Sequence, residues 1–330
     1  MHLIEKMDNY FAVGGVVVTY HPEMSVLAKV LQAVSPQVER LLVVDNGSCE
    51  SSRLTLRQEV EALPNCEIVC LPANRGVAHA QNRGLQWGMT WGCSHVLLLD
   101  QDSVPGPDMV DSLLQAYHVL KQRARRIAAL GPCFVNSDYK NPSFFEQFGP
   151  LCLRRRFCRS KDSEEVIPAD LLISSGALVA MPAFKDVGGM DESLFIDLVD
   201  TEWFLRAKSR GWHSYGVCAA HMEHKLGNST LKLPLWGRAR YIAFHDPGRY
   251  YYQFRNALWL CKSSHAPLVL KLSLLRRLIG RWILICAFGS SRIALVKNMW
   301  RGLKDGVQGK AGQEVSVGQT GEPKRGEKEV

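Results

Sequence analysis

Three short apolar runs in the first hundred or so residues each stop on polar side chains: "VGGVVVTY" at 13–20, "LLVVDNGS" at 41–48 and "HVLLLDQDS" at 95–103. Unbroken apolar runs of this length, bounded by turn residues, read as strands buried on both faces. The segments between them carry a helical pattern. "HPEMSVLAKVLQAVSPQ" places Val26, Val30 and Leu31 on one face, and "SSRLTLRQEVEAL" is a second helix. "CEIVCLP" is a short strand, and "ANRGVAHAQNRGLQWGMTWG" is a loop followed by a helix rich in small residues. Strands alternating with helices imply an α/β fold, a doubly wound, Rossmann-like and mostly parallel sheet. Ligands in such sheets sit at the carboxyl ends of the strands. Thr19, Asp45, Asn46, Asn74 and Asp102 all fall just past strand ends, so the polar groups gather on one rim.

The third run poses the sharpest question. Asp100 and Asp102 are separated by Gln101, and in an extended segment both side chains leave on the same side. Like charges that close repel and raise a pKa unless a cation lies between them. Hard divalent cations prefer carboxylate oxygen, so a metal would remove the repulsion. The bland alternative is a strand end with solvated acids before a Pro-Gly turn.

Further along, residues 128–170 are less regular and include "LRRRFCR". "LLISSGALVAM" reads as a strand containing Gly176, and "PAFKDVGGM" as helix-like. "DESLFIDLVDTEWFLRAKSRG" begins acidic and becomes helical up to Gly211, and "HSYGVCAAHMEH" suggests a last strand ending near His221 and His224. Residues 249–263 and 266–289 look helical, apolar and basic. Ten cysteines form no C-x-x-C, and the expectation is reduced thiols in a cytoplasmic protein rather than disulfides. "FAVGGVVVTY" is short and follows acidic residues, so no signal peptide is expected.

Seven blocks in order, "VVVTYHPE", "LLVVDNGS", "NRGVAHAQNRG", "LLLDQDS", "SSGALV", "FIDLVDTEWFLRA" and "EHKLGN", resemble the family 2 inverting glycosyltransferases with the GT-A fold. Within that family, "LLLDQDS", "LISSG" and "FIDLVDTE" look like bacterial rhamnosyltransferases of O-antigen or rhamnolipid synthesis. The resemblance covers about residues 12–260. It implies a catalytic domain over 1–235, with a nucleotide-sugar half at about 12–105 and an acceptor half at about 128–235. A basic helical amphipathic extension over 236–305 and a disordered tail over 306–330 would follow.

The resemblance also implies roles. Thr19 and Tyr20 lie in the loop that wraps the nucleoside, Asp45 accepts the imide N–H of the base, and Asn46 sits beside it. Asn74, Arg75 and Gly76 match the loop that closes over the nucleotide. Asp100, Gln101 and Asp102 match the family's D-x-D, with Asp102, and in some arrangements Asp100, holding Mg²⁺ or Mn²⁺ against the donor diphosphate. Aligned on Arg206, "LVDTEWFLR" places Asp200 on the catalytic base, with Val199 and Glu202 departing from the commonest pattern; Asp197 is the rival base. His224, ahead of "KLGN", completes the metal site, and His221 is structural. Gly176, in the "SSGALV" block, is counted among the nucleotide-sugar-binding residues. Arg255 either pairs with phosphate or holds the C-terminal helices to the catalytic domain, and Tyr250, Tyr251 and Tyr252 pack.

The implied reaction moves L-rhamnose from dTDP-L-rhamnose to a glycolipid or lipid-linked saccharide, with a UDP-sugar donor as the alternative. Two other readings compete. "LLLDQDSV" also fits a haloacid-dehalogenase-like phosphatase with Asp100 as nucleophile, and a degenerate domain would be a non-catalytic nucleotide-binding scaffold.

Charge points to a membrane. The chain carries +8 overall, yet residues 225–310 hold 16 basic and 2 acidic side chains; with the last 20 residues at −1, residues 1–224 stand at −5. Such a region needs an anionic partner. Its aromatics are interleaved with long aliphatic runs, which suits an anionic membrane surface better than nucleic acid. Lys271, Arg276, Arg277 and Arg281 interrupt the apolar stretch 268–288, and each would cost roughly 2.5–3.5 kcal/mol near a bilayer centre. The expectation is a helix lying on the cytoplasmic face of the inner membrane, peripheral rather than spanning; the alternative is a helical hairpin that caps the catalytic domain and only looks amphiphilic.

Overall fold

The computed structural model describes residues 11–123, 125–136, 144–159, 164–224, 229–235, 238–244, 247–288 and 292–313. The first half alternates as the pattern requires: β1 Val13–Thr19, α1 Met24–Val34, β2 Arg40–Asp45, α2 Glu50–Glu61, β3 Cys66–Cys70, α3 Val77–Thr90 and β4 His95–Asp100. β5 Ser103–Pro105 and α4 Met109–Gln122 follow. The second half contains β6 Ile127–Asn136, β7 Phe144–Phe148, β8 Leu153–Phe157, β9 Val166–Ala169, β10 Leu178–Ala180, α5 Met181–Val187, α6 Val199–Ser209 and β11 His213–His224. β12 Ser229–Leu235 and β13 Arg238–Phe244 form a hairpin, and α7 Pro247–Lys262, α8 Leu268–Phe288 and α9 Arg292–Gln308 close the chain.

The main sheet runs β3-β2-β1-β4-β10-β6-β11-β5, with β9 on β11. β1 pairs in parallel with β2 and β4, in a register that sets Thr19 against Asp45 and Val18 against Asp100. The polar ends of three strands are thereby held on one rim, and β10 enters antiparallel between β4 and β6. The strands supply a continuous core: Val16, Val17, Leu41 to Val44 and Val96 to Leu99 are almost wholly removed from water. The small residues of α3 let that helix lie close on the sheet. A Cβ on Gly84 would come within 2.3 Å of Val16, and one on Gly88 equally close to Val96.

Several expectations change here. The strand read at "LLISSGALVAM" is only three residues long, because Gly176, at φ +82°, turns the chain so that its N–H reaches Leu98 O at 2.7 Å. The extension expected to be helical from 236 opens with β13, and α9 continues to Gln308, past the boundary placed at 306. The rest of the expected tail, 314–330, lies outside the described residues. Cys158 and Cys218 form a disulfide with Cα atoms 5.6 Å apart, against the reduced-thiol reading. Their sequence separation of 60 leaves no local spacing signal. Tertiary folding brings the end of β8 against β11.

α8 has two apolar faces. Leu270 and Leu274 are buried with Ala257 and Leu260 of α7, and Ile285 packs with Tyr250 and Phe254. Leu268, Leu272, Leu275, Ile279 and Ile283 stand exposed along another stripe. No helix among the described residues is long and apolar enough to cross a membrane.

Candidate functional site

A cleft of about 530 Å³ opens at the carboxyl ends of β1 and β4, lined by Thr19, Tyr20, Asn46, Asn74, Gly76, Asp100, Gln101, Asp102, Asp197, Asp200 and Arg249 among others. Most of the expected residues therefore meet in one place. Tyr20 N–H donates to Gln101 Oε1 at 2.7 Å, tying the first loop to the D-x-D turn. Asn46 joins the β2 end to the closing loop: its Nδ2 donates to Asn74 Oδ1 at 3.1 Å, and its Oδ1 accepts from Arg75 N–H at 3.0 Å. Gly76 adopts φ +87°, and an added Cβ would fall 2.5 Å from Phe195 O. Only glycine lets this loop lie against the 195–198 segment, where Val77 N–H donates to that same carbonyl at 2.8 Å.

That segment is conformationally unusual. Phe195, Asp197 and Leu198 all carry positive φ, between 63° and 65°. Non-glycine residues adopt such angles at an energetic cost, and clusters of them gather at functional sites. Asn256 of α7 holds the turn by donating through Nδ2 to the carbonyls of Leu194, Ile196 and Asp197 at 2.9, 2.7 and 2.9 Å.

The acidic groups differ in their surroundings. Asp197 is gripped by Arg249, whose Nε lies 3.0 Å from Oδ2 and whose second guanidinium nitrogen lies 3.0 Å from Oδ1. Asp200, in the first turn of α6, accepts from Thr201 N–H at 2.7 Å and from Ser174 N–H at 3.3 Å. Withdrawal from water raises its pKa despite those bonds. Asp100 is pushed up to about 7, chiefly by desolvation and further by Asp102 and Asp200. Three carboxyl groups thus share a rim at mutual electrostatic cost. The fit to a divalent cation rests on this: the oxygen donors are hard, and a cation would relieve the repulsion. The described residues contain no cluster of three His, Cys, Asp or Glu side chains poised as ligands. His224 pairs through its backbone with Ser103, next to Asp102, while its side chain lies outside what is described.

Among the expected residues whose side chains are described, four do not line the cleft. Asp45 lies wholly buried beneath it, accepting from the Ser48 hydroxyl, Ser48 N–H at 3.0 Å, Arg53 Nε at 3.2 Å and Thr19 Oγ1 at 3.4 Å. The polar group that its strand end presents to the cleft is Asn46. Arg75 is exposed, and its charge acts on Glu192. Gly176 is packed against Pro132 and Met222 and shapes the turn carrying Ser174. Arg255 is buried and donates to Ser193 O at 2.9 Å, Leu194 O at 3.0 Å and the Gly312 carbonyl. It fastens α7 to the 193–194 segment, the second of the two readings made for it. His221 lies in β11 and pairs there with Cys133 of β6. Arg249, which sequence reasoning passed over, does reach the cleft; its one signal was a place in the "GRYYYQFRN" block six residues before Arg255.

The family model described as glycosyltransferase like family 2 matches residues 12–241. The chain belongs to this family. Its members' fold recurs in the structure of GalNAc-T7 solved with UDP, GalNAc and Mn²⁺, at a TM-score of 0.53 and 12% identity, over 66% of this chain and 44% of that one. Among curated relatives, the dTDP-rhamnosyl transferase RfbF of Shigella flexneri is 30% identical over 302 residues, 90% of this chain and 96% of its own length. The N-acetylglucosaminyl-diphospho-decaprenol L-rhamnosyltransferase of Mycobacterium tuberculosis is 29% identical over 71% of this chain and 81% of its own. The protein is a glycosyltransferase with a GT-A-like fold, and the phosphatase reading falls to that membership. The strand before Asp100 is the fourth of the chain, after three β-α units.

Proposed function

We propose that this glycosyltransferase transfers L-rhamnose, with inversion, from dTDP-L-rhamnose to a lipid-linked saccharide, with Asp200 as the base. One observation carries the reading. Asp200 lies in the wall between the D-x-D cleft and a second cavity of about 390 Å³, and it lines both. A carboxylate so placed reaches donor on one side and acceptor on the other. It takes the proton from the acceptor hydroxyl as the oxygen bonds to the anomeric carbon and the bond to dTDP breaks. Its pKa, raised by withdrawal from water, suits that task, because a base of higher pKa pulls the proton harder. Asp197, forked by Arg249, is the weaker candidate.

Asn46, Asn74, Gly76, Thr19 and Tyr20 surround the nucleoside. Asp100 and Asp102, joined by His224, would hold Mg²⁺ or Mn²⁺, which as a Lewis acid stabilises charge on the departing diphosphate. Arg249 places a further positive charge on the cleft rim. The dTDP-rhamnose donor and lipid-linked acceptor are favoured by what the two rhamnosyltransferase relatives are named for. Titrating the purified protein with dTDP-, UDP- and GDP-sugars tests the donor. Tight binding of a UDP-sugar with none of dTDP-L-rhamnose would overturn it.

The same reading places the enzyme on the cytoplasmic membrane surface, held there by α8. The exposed stripe from Leu268 to Ile283, flanked by exposed Arg276 and Arg277, suits an anionic interface, while the opposite face of the helix anchors to α7. Release of membrane-bound protein by high salt or carbonate supports this, and a protein that floats with no vesicle overturns it.

A further inference from the structure

The second cavity does not end at Asp200. It runs past Phe134, Phe144 and Phe145 to Arg155 and Arg277. Those two arginines also line a third hollow of about 380 Å³ between the β7–β8 hairpin and α8, together with Arg276, Leu151 and Leu272. Shared walls make one path: donor cleft, Asp200, aromatic chamber, arginine cluster, apolar mouth. From the structure we infer that the cluster Arg155, Arg276 and Arg277 is the site for the phosphate or diphosphate of an amphiphilic acceptor. Its sugar would lie in the aromatic chamber and its hydrocarbon chain would leave over Leu272 along α8. The inference rests on the glycosyl-transfer reading above and adds the place of the acceptor.

The chemistry changes along the path in the order such a molecule requires. Aromatic faces suit the C–H faces of a sugar ring beside the base. Guanidinium groups suit phosphate oxygens through paired N–H donors. Arg277 already pairs with Glu146 at 3.0 Å, and Arg155 lies 4.1 Å over the Phe144 ring. One carboxylate against three guanidiniums leaves the cluster at about +2, a net charge suited to an anion. Leu151 and Leu272 at the mouth are 93% and 57% exposed, a cost in water that a lipid chain would remove. The apolar mouth is what favours a lipid phosphate over a free anion. The exposed stripe of α8 continues from it through Leu275 and Ile279.

The test is equilibrium binding to the full chain, with three probes below their aggregation limits: farnesyl diphosphate, farnesol and inorganic diphosphate. Binding of dTDP serves as the independent measure of the donor cleft. Wild type should bind farnesyl diphosphate. Arg276→Gln with Arg277→Gln should weaken that at least tenfold and leave dTDP binding unchanged. Leu272→Asp, at an exposed position that does not threaten folding, should weaken it through repulsion at the mouth. Equal affinity of the variants and wild type would overturn the inference, as would failure of wild type to bind. Inorganic diphosphate competing as strongly as farnesyl diphosphate would mean an anion site rather than a lipid one, and farnesol binding as tightly would mean a greasy groove with no phosphate role. Failure of dTDP to bind would count against the donor reading, separately from these outcomes.

Discussion

Replacing Asp200 by Asn changes one proton acceptor and little else. The side chains are nearly isosteric. The amide oxygen can keep the 2.7 Å bond from Thr201 N–H, but its NH₂ then faces Ser174 N–H, a donor against a donor. Losing one hydrogen bond costs about 0.5–1.5 kcal/mol of stability. Removing a like charge from beside Asp100 partly offsets this, because Asp200 is among the groups that raise the Asp100 pKa. The variant should therefore fold and bind dTDP as wild type does. Turnover is another matter. A positioned general base contributes about 10²–10⁴-fold, or about 2.7–5.4 kcal/mol at 1.36 kcal/mol per decade, and all of it depends on a free carboxylate. Asp200→Asn should lower kcat by that range with KM for donor little changed. Asp197→Asn removes a carboxylate partner of Arg249, and Asn tolerates the positive φ at that position. It should raise donor KM and keep most of kcat. Release of dTDP followed by coupled assay or mass spectrometry, with dTDP binding by calorimetry, separates the two effects. A folded Asp200→Asn enzyme retaining more than about a tenth of wild-type kcat, or an Asp197→Asn enzyme that binds dTDP yet is dead, would refute the assignment.

Without divalent metal, thermal stability should fall as pH rises from about 4 to 7. The Asp100 carboxyl has a higher pKa folded (about 7) than its ordinary 3.8, so the fold favours its neutral form and loses that stability as it ionises. Asp100→Asn should flatten the profile in scanning fluorimetry. Gly76→Ala should lower stability by about 1–3 kcal/mol, because φ +87° and the 2.5 Å approach to Phe195 O both oppose a Cβ, and chemical denaturation reads this directly. Arg255→Met should destabilise by several kcal/mol, roughly 1.5–3 per charge-assisted bond, while the folded fraction still binds dTDP. Reducing Cys158–Cys218 should lower the melting temperature, since a link across 60 residues contributes about 4 kcal/mol on loop-entropy grounds; an unchanged melting curve would mean the cross-link adds nothing.

Much of the architecture was legible in local patterns. Apolar runs ending in "TY", "DNGS" and "DQDS" announced parallel strands whose polar ends share a rim, because parallel neighbours in register must end at the same level. That reasoning placed Thr19, Asn46, Asp100 and Asp102 on the rim without coordinates, while Asp200 was singled out only by the family resemblance of "LVDTEWFLR". It could not tell which rim residues face the cleft and which lie beneath it. Asp45 and Asn46 are adjacent in sequence, and the strand's alternation turns one down into Ser48 and Arg53 and the other up toward Asn74. Arg249 and Arg255 sit on one helix, and only the packing of α7 decides that the first reaches the cleft while the second is buried against carbonyls. The disulfide, the three-residue β10 and the two-faced α8 share that origin. Each depends on contacts between segments far apart in the chain, and a sequence pattern records which residues can be buried but not against what.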